Sequence, residues 1–151
     1  MSPVRVQAEP FDIAAVQDEL RRDNPAVGAL VTFVGLMRDM NEGERVASMT
    51  LEHYPGMTEK ALVAIVAEAE RRWALLGVRV VHRVGLLRPT EPIVLVAVAA
   101  AHRGEAFRAC EFIIDYLKTR APFWKKEATP AGERWVEARH GDAAAEARWR
   151  E

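Results

Sequence analysis

The sequence predicts one α+β domain over residues 1–151, with a mainly antiparallel sheet and about three helices. Its length of 151 residues is that of an ordinary single domain, and half of those residues are hydrophobic. Short apolar stretches predict strands, and longer stretches carry apolar residues at helical spacing. Most of the predicted strands follow one another through short turns, which favours antiparallel pairing.

The first third of the chain predicts a strand, a helix and two further strands. Val4 and Val6 alternate with polar neighbours and indicate a short first strand. Pro10 and Asp12 introduce a helix that runs to about Arg22, with its apolar residues on one face. After this helix the sequence predicts a buried strand at 28–37, a polar loop at 38–45 and a strand at 46–54.

The clearest helix is predicted over 57–76, where apolar residues recur at helical spacing. Thr58 is its expected N-cap, and Gly77 is its expected end. Two strands follow, at 78–84 and 93–101, on either side of the turn sequence LLRPTEP.

A third helix is predicted over about 104–121, where apolar residues recur at steps of three, four and three. The residues of this expected buried face are Phe107, Cys110, Ile114 and Leu117. Pro122 ends the helix. Short strands near 123–128 and 133–138 complete the domain, and a charged, alanine-rich tail occupies 139–151.

Charge and composition exclude several classes of protein. The formal net charge is −1, so any basic site must be a local cluster rather than a property of the whole surface. With Cys110 as the one cysteine, no intramolecular disulfide can form. The first residues lack the pattern of a signal peptide, and the longest apolar runs are far shorter than the ~20 residues of a membrane-spanning helix. We therefore expect a soluble, cytoplasmic protein that does not contact a membrane.

The segment from Lys118 to Glu127 is the richest in candidate chemistry, with four cations within nine positions around a predicted helix end. A solvated charged surface is the ordinary explanation of such a run. Phe123 and Trp124, which offer apolar walls at a sharp turn, favour a site instead. Repulsion among the cations favours a neutral lysine that acts as nucleophile or base, whereas the helix dipole and Asp115 favour a charged one that holds an anion or oxyanion. The sequence leaves both states open.

Basic residues also follow two of the predicted strands. His102 and Arg103 lie between the strand 93–101 and the next helix, where free backbone N–H groups attract anions such as phosphate. Arg38 occupies the corresponding position after the strand 28–37. An ordinary exposed His-Arg pair is the alternative, and a shared site requires that the two strands are neighbours.

Cys110 and the isolated histidines carry no predicted chemistry. Cys110 lies between Phe107 and Ile114 on the expected apolar face, so we expect it to be buried and unreactive. His53 and His82 have no partner at metal-ligand spacing, so neither a metal nor a cofactor is predicted. The sequence also contains no common nucleotide-binding or nucleophile-elbow motif.

Several segments together resemble the large subunit of molybdopterin synthase: VTFVGLMRD, LEHYPGMTEKAL, HRVG, AHRGEAF, DYLKTRAPFWKKE and GERWVEA. They cover nearly the whole chain in the order and spacing of that family, and a run as long as LKTRAPFWKKE is highly specific. The turn RPTEPI departs from the glycine-acidic pattern usual in the family, which affects only the expected shape of that turn. The resemblance implies a fold of the α/β-hammerhead type.

The same resemblance implies a sulfurtransferase of molybdenum cofactor biosynthesis. Two large subunits would form a homodimer, with a small ubiquitin-like subunit at each end of the resulting heterotetramer. The small subunit ends in Gly-Gly, carried as a thiocarboxylate, and would deliver sulfur to cyclic pyranopterin monophosphate. Two deliveries would create the dithiolene of molybdopterin. The implied partners include no nucleic acid, and no cofactor is implied.

The resemblance also implies roles for individual residues. Lys118 and Lys125 match the two lysines central to catalysis, which we expect to act at the thiocarboxylate carbon and the pterin side chain. The matching substrate-binding positions are Leu36, Met37, Arg38, His102, Arg103, Lys126 and Glu127, although relatives often have a basic residue in place of Leu36. We assign the phosphate to Arg38, His102 and Arg103. Arg139 is expected to complete the pocket from the opposite subunit.

Two other classes of function use the same residues. A small RNA- or nucleotide-binding module would use the cluster 118–126, but the near-neutral charge and the lack of a repeated basic-aromatic pattern argue against it. In a purely structural dimerisation protein the clustered lysines would be incidental.

Overall fold

The computed structural model describes residues 2–136 and 140–150, without the side chains of residues 140 and 141. Its elements follow in the order β1 (Val4–Gln7), α1 (Ile13–Arg21), β2 (Ala29–Leu36), β3 (Met40–Asn41), β4 (Glu44–Arg45), β5 (Ser48–His53), α2 (Met57–Arg72), β6 (Gly77–Arg83), β7 (Gly85–Leu87), β8 (Pro92–Ala100), α3 (Arg103–Arg120), β9 (Phe123–Thr129), β10 (Gly132–Val136) and α4 (His140–Ala147).

The larger layer of the fold is a four-stranded sheet with the order β1-β6-β8-β2. β1 and β6 are parallel, whereas β8 is antiparallel to both β6 and β2. Helix α1 packs on one face of this sheet, and α2 and α3 pack on the other. Because β8 is buried on both faces, its sequence PIVLVAVAA is an almost continuous apolar run.

A second four-stranded sheet has the order β10-β9-β5-β7 and is antiparallel throughout. A small core of its own joins β5 and β7 to the segments that flank the β3–β4 hairpin. Its buried residues are Met37, Val46, Met49, Leu51 and Leu87. Strand β5 of this core pairs with β9, which carries the second half of the segment 118–127, called the lysine-rich segment below.

The predicted α+β class is confirmed, with strands that pair mainly antiparallel. Four elements are additional to the prediction: β3 and β4, which form a hairpin within the loop 38–45, β7 beside the predicted turn, and α4 in the tail. Strands of two or three residues are too short to show an alternation of apolar and polar residues. Helix α4 has eight residues, too few for a stable isolated helix, and its Glu146 side chain accepts hydrogen bonds from Thr119 and Arg120 of α3.

Helix α2 begins at residue 57 as predicted, but its predicted N-cap and its predicted C-terminal end were wrong. The N-cap is Gly56, at a φ of 87° that favours glycine, and Thr58 is already inside the helix. The Thr58 hydroxyl accepts a hydrogen bond from the Tyr54 N–H and donates one to the Pro122 carbonyl, both at 2.9 Å. The helix stops at Arg72, because the chain turns there to enter β6 at Gly77. Thr58 therefore ties α2 to the turn that follows α3.

The predicted buried face of helix α3 was correct in part. Cys110 and Leu117 are buried, Ile114 is half-buried, and Phe107 is 61% exposed. The helix packs against both the sheet and α2. Its buried arc is therefore broader than a single stripe, and it includes Ala106, Ala109, Phe112, Ile113 and Tyr116.

Strand β2, predicted to be buried, is half-buried in the single chain. It pairs with β8 on one side and forms the edge of the sheet. Phe33 of this strand is 39% exposed. The apolar sequence of β2 therefore predicted an interior strand, whereas β2 lies at the edge of the sheet.

Among residues 2–136 and 140–150, no helix combines the length and the apolar character needed to cross a membrane.

Candidate active site

A cavity of about 310 Å³ lies where the C-terminal end of α3 meets the second sheet. Its apolar lining comes mainly from the end of β2, the residues from there to β3, and strands β5 and β8: Leu36, Met37, Met40, Met49, Leu51 and Ile93. Its charged and polar lining includes Arg38, Asn41, His82, Lys118, Lys125, Glu127 and Asp142. Six of the residues predicted for the site therefore meet at one cavity: Leu36, Met37, Arg38, Lys118, Lys125 and Glu127.

The two lysines converge because the chain reverses between them. Lys118 lies in the last turn of α3, which ends at Arg120. Pro122 then turns the chain into β9, with its carbonyl anchored by Thr58. The extended strand carries Lys125 back past the helix end, so two residues seven positions apart in sequence line the same cavity.

Alternation along β9 decides which side chains of the lysine-rich segment reach the cavity. Phe123, Lys125 and Glu127 line it, because side chains two positions apart lie on one face of a strand. Lys126 lies on the opposite face, where its Nζ is 3.2 Å from a carboxylate oxygen of Glu133 and 5.5 Å from the centre of a tryptophan ring. Lys126 is thus a predicted site residue that the single chain does not bring to the cavity.

Arg120 also faces away from the cavity. Its guanidinium donates to Glu146 at 3.0 Å and lies 4.0 Å from the centre of the Tyr116 ring. Of the four cations in the lysine-rich segment, Lys118 and Lys125 are therefore the two that line the cavity.

Glu127 is buried, with its carboxylate held by residues of two other segments. It accepts hydrogen bonds from Asn41 at 3.1 and 3.2 Å and from the Arg134 guanidinium at 3.1 and 3.2 Å. Arg134 also lies 2.9 Å from the Glu44 carboxylate. This network connects the β3–β4 hairpin to β9 and β10. It also places a guanidinium directly against the Glu127 charge, so this carboxylate offsets less of the positive charge of the cavity.

His82 was predicted to be isolated, but it lines the cavity beside the lysines. The side chain is 4% exposed, and its ring stacks on Phe123 with centroids 3.9 Å apart. Burial lowers the pKa of His82 to about 3 against the opposing effect of a hydrogen bond to the Arg83 carbonyl, and the charges of Lys118 and Lys125 lower it further. The imidazole is therefore neutral at physiological pH.

The strand ends that carry Arg38 and His102 do not meet within one chain. β2 and β8 are neighbours, but they are antiparallel, with Ala29 opposite Ala100 and Leu36 opposite Pro92. Because β8 has nine residues, its ends lie roughly 30 Å apart at about 3.3 Å per residue. His102 and Arg103 are exposed at the start of α3, away from the cavity. Arg139 lies outside the described residues.

The expectation that Cys110 is buried is confirmed. It is 5% exposed, and its Sγ lies 3.6 Å from the Val96 carbonyl oxygen. Burial raises the pKa of the thiol to about 11. A thiol with such a pKa is almost entirely protonated at neutral pH and is a poor nucleophile.

Three polar residues of the cavity were not predicted: Asn41, His82 and Asp142. The sequence carries a partial signal for His82, because Val78, Val80 and His82 continue one face of a predicted strand. Nothing local in the sequence indicates Asn41 or Asp142, since each reaches the cavity through the packing of a short element against distant strands. Among the described residues, no three His, Cys, Asp or Glu side chains cluster in a way that would hold a metal ion.

Comparison with known proteins gives consistent matches. The model of the MoaE protein family matches residues 6–120. The molybdopterin synthase catalytic subunit of Ralstonia nicotianae is 58% identical over 149 residues, which cover 99% of this chain and 85% of that protein. A solved structure described as the molybdopterin biosynthesis MoaE protein from Burkholderia ambifaria is 59% identical, with a TM-score of 0.85 and coverage of 99% and 98% of the two chains.

A more distant solved structure shares the fold. It is described as a protein–protein complex of subunits 1 and 2 of the molybdopterin-converting factor from Helicobacter pylori. The similarity covers 91% of this chain and 92% of that one, with a TM-score of 0.75 and 18% identity.

Proposed function

The chain belongs to the MoaE protein family, whose relatives are catalytic subunits of molybdopterin synthase, and on that premise we propose that it transfers sulfur to cyclic pyranopterin monophosphate. As a member of this family it is an enzyme of molybdenum cofactor biosynthesis. The sulfur comes from the C-terminal thiocarboxylate of a small ubiquitin-like partner subunit. The observation that carries the proposal is the meeting of Arg38, Lys118 and Lys125 at one cavity with apolar walls.

The charges of this cavity suit both proposed reactants. A thiocarboxylate and a phosphate are anions, and three cations, from α3, from β9 and from the loop after β2, offer each of them a partner. A tetrahedral oxyanion at the thiocarboxylate carbon would be stabilised by a lysine ammonium in a site of low dielectric. We assign that role and the chemistry at the pterin side chain to Lys118 and Lys125, and phosphate binding to Arg38.

A donor on a partner subunit is consistent with the state of Cys110. Its burial and raised pKa leave no thiolate at neutral pH to carry sulfur. The Helicobacter pylori structure is described as a complex of two subunits, and we propose a comparable small partner for this chain. A terminus of two glycines is backbone alone, so it needs less space to reach the cavity than any other dipeptide.

We further propose that two copies of this chain form the homodimer at the centre of a heterotetramer. His102 and Arg103 are too far along α3 to reach the cavity of their own chain, since 15 residues of helix span roughly 22 Å. A second copy would bring them to it. Phe33 and Phe107, at 39% and 61% exposure, provide apolar surface on β2 and α3 for such a contact.

A mixed dimer tests this arrangement. One copy carries Lys118→Ala, and the other carries His102→Ala with Arg103→Ala. If each site combines the lysines of one chain with His102 and Arg103 of the other, both parent homodimers should be inactive. The mixed dimer should then have one intact site and about half of the wild-type activity. A mixed dimer without activity contradicts the shared site.

Reconstitution tests the function itself. The chain is mixed with a small partner bearing a Gly-Gly thiocarboxylate and with the cyclic pterin phosphate, and the dithiolene product is measured. We expect product only when all three components are present, and a partner with an ordinary carboxylate serves as the control. The absence of dithiolene with active partner and substrate contradicts the proposal. The cytoplasmic location expected from the sequence stays a prediction.

A further inference from the structure

His82 is held in one orientation by two contacts. Its ring stacks on Phe123 at an interplanar angle of 19°, and its Nδ1 lies 2.8 Å from the carbonyl oxygen of Arg83. A carbonyl oxygen only accepts hydrogen bonds, so Nδ1 must carry the proton of the neutral ring. The second ring nitrogen, Nε2, therefore presents a lone pair.

The Nε2 atom faces the cavity. Among residues 2–136 and 140–150, the only hydrogen bond of the His82 ring is the one made by Nδ1. Within the same residues no side-chain nitrogen or oxygen is both fully buried and without a partner. An Nε2 without a protein partner must therefore reach open space, and the cavity that His82 lines is that space.

The charged and titratable groups around His82 come from three elements. Lys118 extends from α3, Lys125 from β9 and His53 from β5, and each disfavours the charged imidazolium. Lys118 has the largest effect on the pKa of His82 among these three. The ring is consequently a neutral acceptor that faces two cations. It is not a group that gains and releases protons near neutral pH.

We propose that His82 is a positioning residue whose Nε2 accepts a hydrogen bond from the Lys118 side chain and directs that amine toward the reacting carbon. The catalytic part of this inference rests on the proposed function, whereas the hydrogen bond does not. Glu127, the buried carboxylate beside it in the cavity, is already bonded to Asn41 and Arg134. A neutral acceptor orients an ammonium group without cancelling its charge, so the amine stays available to an anionic reactant.

Nitrogen NMR of the imidazole groups in the intact protein tests the hydrogen bond without any assay of activity. The chain has four histidines, and His82→Gln identifies the signals of His82. We expect the tautomer with the proton on Nδ1, and no titration between about pH 5 and 9, where an ordinary histidine titrates near 6.5.

Lysine variants identify the donor in the same spectra. Lys118→Ala should shift the Nε2 resonance of His82, and Lys125→Ala should shift it less. Lys60→Ala, at an exposed position of α2, is the matched control and should leave the resonance in place. An Nε2 resonance that does not respond to Lys118→Ala overturns the proposal, as does a His82 that titrates near 6.5. Neither outcome depends on whether sulfur transfer occurs.

Two His82 variants test the catalytic consequence. Phenylalanine keeps the stack on Phe123 but has no acceptor, whereas the glutamine side chain can place an amide oxygen near the position of Nε2. We expect His82→Phe to lower kcat by roughly 10-fold or more, the value of one hydrogen bond to a charged group. A hydrogen-bond acceptor favours the ammonium form of Lys118. Loss of this acceptor should therefore also move the alkaline limb of the profile of kcat against pH to lower pH. His82→Gln should restore part of both.

Thermal unfolding of both His82 variants is the control for folding. If the role of His82 is purely structural, the variants should be less stable than the wild type. The dependence of kcat on pH, measured on the folded protein, should then be unchanged. A folded His82→Phe with unchanged kcat and an unchanged alkaline limb overturns the positioning role. If His82→Phe does not fold, the NMR response of native His82 to Lys118→Ala still decides the hydrogen bond. If the native protein forms no dithiolene, the proposed function fails and the spectra remain a test of this contact alone.

Discussion

Lys125 and Lys126 are adjacent in sequence but lie on opposite faces of β9. Lys125 lines the cavity, and Lys126 pairs with Glu133 on the outer face of the second sheet. Successive side chains of a strand point to opposite faces, so only one of two adjacent lysines can face the cavity. The residue type alone does not indicate which of the two it is.

Substitution of these two lysines should therefore have unequal effects. We expect Lys125→Ala to lower the rate of dithiolene formation by on the order of 100-fold, through the loss of a cation at the developing charge. Lys126→Ala should change it by less than ~3-fold, because its ion pair is partly exposed. The two rates are measured with the reconstituted enzyme. Equal losses would mean that the outer face contacts the partner or the substrate.

Lys118→Ala should abolish product while the protein stays folded. The lysine is exposed at the end of α3, so its removal should change the free energy of unfolding by less than ~1 kcal/mol. Turnover should fall by on the order of 1,000-fold if the amine stabilises the transition state. Size-exclusion chromatography and chemical unfolding establish the folded state, and Lys60→Ala is the control. A variant with near-normal turnover rules out the assignment of Lys118.

Arg134→Ala should weaken the attachment of the β3–β4 hairpin. It removes the guanidinium from the buried carboxylate of Glu127 and leaves Asn41 as the remaining side-chain donor described for it. We expect a loss of about 1–3 kcal/mol in the free energy of unfolding, together with a higher KM, because the hairpin borders the cavity. Urea unfolding and steady-state kinetics measure the two effects.

Glu44→Gln is the matched control for Arg134. It breaks the ion pair of the same arginine on its exposed side, where the carboxylate is 51% exposed, and should cost less than ~1 kcal/mol. If both variants lose the same stability, the buried side of the network has no special role.

His82 should make the stability of the protein depend on pH below neutrality. Its pKa is about 3 in the folded state, mainly through burial, and about 6.5 in the unfolded chain. Between these values the unfolded chain binds a proton that the folded protein does not. The contribution of His82 to the free energy of unfolding is therefore fully present above about pH 6.5. As pH falls from there toward 3, the free energy of unfolding decreases by up to ~1.4 kcal/mol per pH unit.

The difference between wild type and His82→Gln isolates this effect. Urea unfolding at several values between about pH 4 and 7 should show a shallower pH dependence for the variant. His102→Gln, at an exposed position, should follow the wild type. Parallel curves for wild type and His82→Gln would mean that His82 has the same pKa in the folded and the unfolded protein, which contradicts the lowered pKa.

Cys110→Ala should retain sulfur transfer. The thiol is buried and has a pKa raised to about 11, so it carries no sulfur in the proposed reaction. We expect full turnover and a loss of about 1 kcal/mol in stability from the small cavity. In the native protein a thiol reagent should react with Cys110 only after unfolding. A folded Cys110→Ala enzyme without activity would contradict the proposal that this thiol carries no sulfur.

Several features could be predicted from local sequence because they depend on near neighbours. Asp12 caps α1 through its side chain, which accepts a hydrogen bond from the Ala15 N–H. An aspartate directly before apolar residues at helical spacing predicts such a cap. The burial of Cys110 followed from its position within the apolar repeat of α3. The end of α2 and the exposure of Phe107 could not be obtained in this way, since both depend on what packs against each helix.

The amino-acid sequence by itself determined the α+β class, most strands and helices, and the segment that carries the lysines, because these follow from periodicity and chain reversal over a few residues. The convergence of Arg38 with Lys118 and Lys125, the separation of His102 and Arg103 from them, and the recruitment of His82 were decided by the tertiary structure. Strand order and direction set which ends of distant segments meet, and no local pattern of residues encodes that choice.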